Sequence, residues 1–375
     1  MLSFKLSQDL LARNQATENL LLDTYARFKH FDTQEIESIK RYARISNIGA
    51  STRIENALLT DSEVNWLDTI LTKDGHVTAF ERQKKLIENK LSKDRERSIE
   101  EVAGCRQMLF LINENAKEFL PLRETDIRAL HYQLMAPYQK QTEYIGNYKI
   151  QPNYVVEENH ITHESRIVFQ TADAGPITQA AMKDLVDWYN AAHSFEPRSI
   201  LLASEFVYRF LAIHPFQDGN GRLGRGLFTL LLLQSPQSAL SFTAPLLAID
   251  RQIEKHKEEY YFILNRCSKG KFLQDPREYE IEHFAQFMLK MITQSVEDIE
   301  FYRLKYQAVQ NLSESAVKVL NCFKDYPEKR LTIKIIVEET KLPRRTIAHN
   351  LMTLVNAKLI QRYGLGAGTR YQLTF

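Results

Sequence analysis

The sequence predicts a mainly α-helical protein, broken once by a β-hairpin and ending in a small helix-turn-helix module with a two-stranded wing. Three observations carry this. Apolar residues recur at helical spacing through most of the first 300 positions, for instance Val102, Met108, Leu109, Leu111 and Ile112. Two β-prone stretches, Tyr148 to Val156 and Ile161 to Phe169, flank Glu157-Glu158-Asn159-His160 and read as a hairpin or flap. From about residue 313, short helical segments give way to two strands joined by a glycine-rich turn. Three units are expected: a helical region over 1–99, a core over 100–300, and the small module over 313–375.

Taken in order, Leu10, Leu11, Leu20, Leu21 and Leu22 open the helical region, and Glu100 to Tyr138 continues it. Ser199 to Ile213 carries the apolar stripe of a core helix. Leu223 to Leu233 is too long for a buried strand and reads as a buried helix. Asp250 to Leu264 is charged on one side and includes Tyr260-Tyr261, which the residues alone leave open between core and pocket wall.

Composition narrows the class. Hydrophobic content of 44% and charged content of 26% suit a globular enzyme and exclude a disordered chain. The apolar run Leu227 to Leu233 is far too short to cross a bilayer, and the first residues lack the apolar segment of a signal peptide. No membrane partner is expected, and since Cys105, Cys267 and Cys322 form neither a metal spacing nor an even disulfide set, a reducing cytoplasm is the expected location. His160 and His163 lack further ligands and read as exposed hairpin residues. A net charge of +2 argues neither for nor against a nucleic-acid partner.

The chemistry concentrates in His214-Pro215-Phe216-Gln217-Asp218-Gly219-Asn220-Gly221-Arg222-Leu223-Gly224-Arg225. Gly219-Asn220-Gly221 stands just before a helix, whose N-terminal amides and dipole favour an anion. Glycine admits left-handed angles and lets a phosphate come close. Arg222 and Arg225 lie three apart, so a helix sets them on one face, each with a guanidinium fork suited to phosphate. Asp218 offers a hard oxygen for Mg²⁺. His214 titrates near neutrality and is placed to take a proton from a hydroxyl. Each piece alone is an ordinary turn or a solvated charge; together they describe a site that binds and reacts with a nucleotide polyphosphate.

This segment resembles the Fic family signature, His-x-Phe-x-Asp/Glu-Gly-Asn-Gly-Arg-x-x-Arg, with every fixed position filled. The resemblance implies a Fic-type helical core that transfers AMP from ATP to a Ser, Thr or Tyr hydroxyl of a target protein, itself included. It implies His214 as general base and Asp218 as Mg²⁺ ligand. Gly219, Asn220, Gly221, Arg222, Leu223 and Gly224 would hold the nucleotide, with Arg225 on the γ-phosphate and Tyr260 and Tyr261 near the base. The hairpin would pair with the target by strand addition, through Tyr154, Val155 and Val156. Many relatives carry a His where this chain has Val207, so no role is assigned there.

Upstream, Ser51-Thr52-Arg53-Ile54-Glu55-Asn56 is similar to the family's inhibitory motif. The resemblance implies an inhibitory helix around 48–60 whose Glu55 pairs with Arg225 in the place of the γ-phosphate. Ser51 and Glu55 are i, i+4 on a helix and face the same way.

The module over 313–375 resembles a winged helix, more loosely. From Lys341 onward it holds Lys341, Arg344, Arg345, Lys358, Arg362 and Arg370 and no Asp or Glu. Arg344 and Arg345 open the recognition helix, where DNA contacts concentrate. DNA, a protein contact or a homodimer are the partners left open for it. A competing expectation makes the chain a DNA-binding regulator whose Fic core senses nucleotide. Transfer of UMP, phosphate or phosphocholine, or removal of AMP, are the alternatives within the enzyme class.

Overall fold

Helix starts in this chain are set by small polar caps. The Ser7 hydroxyl accepts the Leu10 N–H at the head of α1 (Gln8–Phe28), and Asp32 accepts the Gln34 N–H at the head of α2 (Thr33–Ile54). The structure, a computed structural model, describes residues 1–375 except 74–75, 78–79, 92–94, 139–143, 159–164 and 327. At 73, 76–77, 81, 85, 88–89, 156–158, 165–168 and 367 it describes the backbone alone. His160 and His163 therefore lie outside the described residues.

A reciprocal capping box between Thr60 and Glu63 begins α3 (Asp61–Ile70). A two-residue pairing of β1 (Thr72–Lys73) with β2 (His76–Val77) leads to α4 (Phe80–Lys90). Next, α5 (Glu96–Asn115) and α6 (Glu124–Met135) cross closely at Gly104, where an added Cβ would stand 1.9 Å from the Leu134 carbonyl oxygen. Strands β3 (Tyr154–Glu158) and β4 (Ser165–Gln170) form the antiparallel hairpin, with a register shift between Val155 and Val156. Residues 148–153, expected as strand, are not part of it. The side chains of Lys149 and Asn153 are instead committed to the loop after residue 213.

The centre of the molecule is α8 (Ser199–Ile213), preceded by α7 (Pro176–His193) and followed by α9 (Asn220–Leu233). Every residue of α8 is buried, as expected of a helix enclosed on all sides. Around it lie α10 (Ser238–Thr243), α11 (Ile249–Lys255), α12 (Lys257–Arg266) and the long α13 (Glu282–Gln310). One apolar core runs from Phe4 to Tyr302 and includes residues of α1, α2 and α3. The residues over 1–99 thus belong to the same core as the site.

The inhibitory-type motif closes a long helix rather than filling a separate one around 48–60. Ile36, Ile39, Ala43 and Ile48 keep one face of α2 buried from its first turn. The helix stops at Ile54 because Asn56 turns left-handed, with φ of 70°.

After α13, a second buried cluster gathers residues from Val319 to Tyr371. It is built from α14 (Glu314–Lys324), α15 (Ile333–Thr340), α16 (Arg344–Asn356) and the antiparallel pair β5 (Ile360–Tyr363) and β6 (Arg370–Leu373). Leu331 bridges to Tyr371 at the edge of that pair. Phe375 packs edge-on against Tyr42 of α2, and Lys305 of α13 lies over its ring. Among the described residues no helix is long and apolar enough to cross a membrane.

Close packing at Gly104 makes a direct test of the α5–α6 crossing. Gly104→Ala should lose about 1–3 kcal/mol of stability from overpacking, despite the better helix propensity of alanine. At Gly368 an added Cβ meets nothing within 4 Å, so Gly368→Ala should stay within roughly 0.5 kcal/mol of wild type. Urea unfolding of both variants checks the contrast.

Candidate functional site

The site is the turn between α8 and α9. His214 caps α8 in the left-handed region, with φ of 53°, and donates its N–H to the Phe210 carbonyl. Its ring Nδ1 lies 3.3 Å from the Leu211 carbonyl oxygen. The Nδ1–H tautomer makes that a donor and leaves the Nε2 lone pair without a partner among the described residues. Burial pushes the imidazole down to about 4, helped by the Lys149 charge, so at neutral pH the ring is an uncharged base.

Gly219, with φ of 81°, precedes the first turn of α9, and a side chain there would be both strained and crowded by Met135. Asn220 is 1% exposed, and its side chain holds both polar groups of Phe216: Oδ1 accepts the Phe216 N–H at 2.9 Å and Nδ2 donates to its carbonyl at 2.7 Å. The Asn220 side chain therefore shapes the loop, and its amide is what remains for an anion. Phe216 stacks on His131 at 3.8 Å. The His131 ring accepts the Gly146 N–H at Nδ1 and faces the Asp218 carbonyl oxygen with Nε2, both at 3.0 Å. Burial lowers the His131 pKa to about 4, which suits a neutral ring with one nitrogen accepting and one donating.

The two arginines are buried and turn to different partners. Arg222 donates to the Tyr138 hydroxyl and, at 3.3 Å, to Asp218 Oδ1. Arg225 donates from Nε to the Ser51 hydroxyl and from Nη2 to the Ser51 carbonyl, both at 2.8 Å. The same Nη2 pairs with Glu55 Oε1 at 2.9 Å. Burial works against both charges, yet Glu55 and Asp250 beside Arg225, and Tyr138 and Asp218 beside Arg222, hold them protonated. Asp250 stands 4.0 Å from Arg225 Nε, and burial raises its carboxyl to about 6.

Glu55 also touches the loop. A Cβ on Gly221 would lie 2.3 Å from Glu55 Oε1. The carboxylate thus rests on the backbone at Gly221 and on Arg225 together, the place where an anion held by both would stand.

Other expected site residues fall elsewhere. Leu223 is fully buried in the core, and Gly224 faces Leu211 and Phe210, where a Cβ would come within 2.9 Å of the leucine. Both serve the α8–α9 packing rather than the loop surface, because they lie on the inward side of α9. Tyr260 is 2% exposed and packs among Tyr261, Phe284 and Phe287, a core position; Tyr261 is half-buried. Val207 lines a small internal cavity with Arg225, Asp250 and Tyr260. Tyr154 is 47% exposed at the outer start of β3, and Val155 is half-buried against the core. The backbone of Val156 pairs with Ile167. Sequence reasoning missed His131, Tyr138, Lys149, Asn153 and Thr171, whose hydrogen bonds run to backbone and side-chain groups elsewhere in the chain that no local spacing announces.

Comparison with known proteins agrees with this architecture. Residues 121–232 match the model of the Fic/DOC family. Protein adenylyltransferase fic-1 of Caenorhabditis elegans is 32% identical over 89 residues, and protein adenylyltransferase Fic of Culex quinquefasciatus is 34% identical over 83. Those matches cover 24% and 22% of this chain, which spans 16% and 15% of the length of the two relatives. A solved Fic family protein from Desulfovibrio desulfuricans G20 superposes over 100% of this chain and 98% of its own, with a TM-score of 0.56 and 20% identity. The chain has the fold of that Fic family protein, and its match to the Fic/DOC family lies over 121–232.

Acid titration reads the buried histidines. His131 and His214 titrate near 6.5 when unfolded and are pushed to about 4 in the fold. Between those values the unfolded chain binds more protons, so their contribution is complete above about pH 6.5 and is lost as pH falls toward 4. His131→Gln should lower stability at pH 7 and flatten its further loss between pH 6.5 and 4.5. Melting temperatures of both proteins across that range check this.

Proposed function

We propose that this chain transfers AMP from ATP to a Ser, Thr or Tyr hydroxyl of a protein, itself included, and that Glu55 restrains the reaction. The contact carrying this reading is the Glu55–Arg225 pair at 2.9 Å, resting on the backbone of Gly221. In the reaction, His214 Nε2 takes the proton of the attacking hydroxyl as its oxygen bonds to the α-phosphorus. The bond to the bridging oxygen breaks, and pyrophosphate leaves. The loop amides and Arg225 position the polyphosphate, with Tyr261 the better placed of the tyrosine pair to meet the base. Tyr154, Val155 and Val156 offer an edge for a target strand.

Asp218 suits a Mg²⁺ ion bound mainly through phosphates. Its side chain is 38% exposed, with Oδ1 engaged by the Gly219 N–H and Arg222. Among the described residues no group of three or more His, Cys, Asp or Glu is placed to hold a metal, so phosphate and water oxygens would complete the shell. Bound there, the ion would supply neutralisation of phosphate charge.

Glu55 and a γ-phosphate are alternative anions for one buried guanidinium. With the carboxylate docked, ATP binds misplaced, and a transfer that depends on alignment is silenced. Glu55→Gly should raise self-modification strongly, read as AMP mass on the intact protein after incubation with ATP and Mg²⁺. Adding Arg225→Ala should cancel much of that gain. Ser51→Ala should act more weakly, since the Ser51 carbonyl still accepts from Arg225. Without nucleotide, Glu55→Gly should melt earlier than wild type, because Arg225 loses its counter-ion, and ATP should raise its melting temperature more. Unchanged or reduced modification in Glu55→Gly would overturn the restraint. A different added mass would identify UMP, phosphate or phosphocholine transfer, and slower loss of attached AMP would make Glu55 a hydrolytic group.

In the same background His214→Ala should keep ATP binding and lose about 10²–10⁴-fold in rate, the usual weight of a general base. Asp218→Ala should lose activity together with Mg²⁺ dependence.

A second reading, a DNA-binding regulator with a nucleotide-sensing core, is favoured by the module over 313–375, which we read as a winged helix. Lys341, Arg344, Arg345, Lys358, Arg362 and Arg370 are all exposed, two of them at the head of α16. If it binds DNA, affinity should fall steeply with salt, and Arg344→Ala with Arg345→Ala should weaken it further. Absence of binding at low salt would favour a protein contact.

A further inference from the structure

Four consecutive carbonyls, from Ile213 to Phe216, are held by two residues at the base of the hairpin. Lys149 Nζ donates to the Ile213 carbonyl at 3.1 Å, and the Lys149 N–H donates to that of Pro215 at 2.8 Å. Asn153 Nδ2 donates to His214 at 3.3 Å and to Phe216 at 2.7 Å. His214 sits among them in a left-handed conformation that an L-residue adopts only at an energetic cost. A strained residue persists where its surroundings over-determine it, and here both flanking peptides are pinned.

The same two residues hold the hairpin. Asn153 immediately precedes β3, and Thr171 immediately follows β4. Lys149 is 1% exposed, and the remaining protons of its ammonium go to Asn153 Oδ1 at 2.8 Å and Thr171 Oγ1 at 2.9 Å. Thr171 Oγ1 lies 2.8 Å from both the Asn153 carbonyl oxygen and Oδ1, closing the link between the two strand ends. A buried ammonium is costly unless all its donors are used, and this one uses all three. A lysine ammonium sends three donors from one atom to three separate acceptors.

We propose that Lys149 is a positioning residue for His214, and that with Asn153 and Thr171 it ties both feet of the hairpin to the His214 turn. Seating a target strand on β3 and orienting the imidazole then become one event. A hydroxyl delivered by the hairpin meets a base already aligned with it; without the tie, the two move independently. This rests on the reading of His214 as general base and of the hairpin as target edge.

The test uses the full chain with Glu55→Gly as the active reference. Adding Lys149→Met should lower the rate of self-modification at saturating ATP at least tenfold and leave the KM for ATP within twofold. Thr171→Val, a smaller change that keeps the fold if Lys149→Met does not, should move the rate in the same direction by less. A rate unchanged in both variants, or a KM for ATP that rises with the fall in rate, overturns the positioning role. Hydrogen exchange without nucleotide reads the tie separately from any activity. In the variants, amides at 153–155, 170–172 and 213–217 should lose protection together, with 222–233 unchanged. Faster exchange in only one of those groups, or in none, overturns the tie. If Glu55→Gly itself shows no self-modification, the AMP-transfer reading falls, and exchange still decides whether Lys149 joins the two segments.

Discussion

A guanidinium in a protein interior needs an anion, and Arg225 is 3% exposed. Much of the arrangement around the site follows from satisfying that charge. Ser51 supplies its hydroxyl and carbonyl, Asp250 approaches from α11, and Glu55 reaches over from the end of α2. Ser51 and Glu55 come from the end of α2 and Asp250 from α11, so the buried cation joins α2, α9 and α11. Of the three acceptor residues, Glu55 is the most open to water, at 32% exposure against 8% for Asp250. That makes it the one partner whose departure requires little rearrangement of the core.

Small residues and left-handed turns let the site sit at the surface of so dense a centre. Gly224 brings α9 against α8, and Gly226 brings it against Met108 of α5, where an added Cβ would come within 2.6 Å of the methionine. Asn220 and His131 hold the turn from opposite sides through Phe216. The shape of the turn is thereby held by protein groups alone.

The sequence made the turn over 214–225 legible because its residues lie in one continuous stretch. The contact of Glu55 with Arg225 was legible for a similar reason: the segment 51–56 is short but continuous. The helix that carries it was misjudged in extent, since the apolar face of α2 runs from Ile36 and a stop signal at Asn56 is weak in sequence. Leu223 and Gly224 belong to the signature yet face inward, because a contiguous motif wound into a helix cannot present every residue to one side. Lys149, Asn153, Thr171 and His131 left no trace, as their partners are mostly backbone carbonyls and amides, which every residue possesses. The early strand start expected at Tyr148 failed on the same ground: Lys149 and Asn153 bond to the turn after α8 rather than extending the ladder.

The two buried clusters, one from Phe4 to Tyr302 and the other from Val319 to Tyr371, share no buried residue. Cooperativity in folding comes from shared burial, and what joins these clusters is α13, the docking of Phe375 beside Tyr42 and Lys305, and polar contacts such as that of Ser62 with the Leu373 carbonyl. If the two clusters unfold separately, calorimetry resolves two transitions in place of a single midpoint. The C-terminal unit, with the smaller buried cluster, has less apolar surface to lose and the shallower response to denaturant. Opening of the C-terminal cluster alone would leave the turn over 214–225 folded within the larger core and release the basic residues from Lys341 onward as coil.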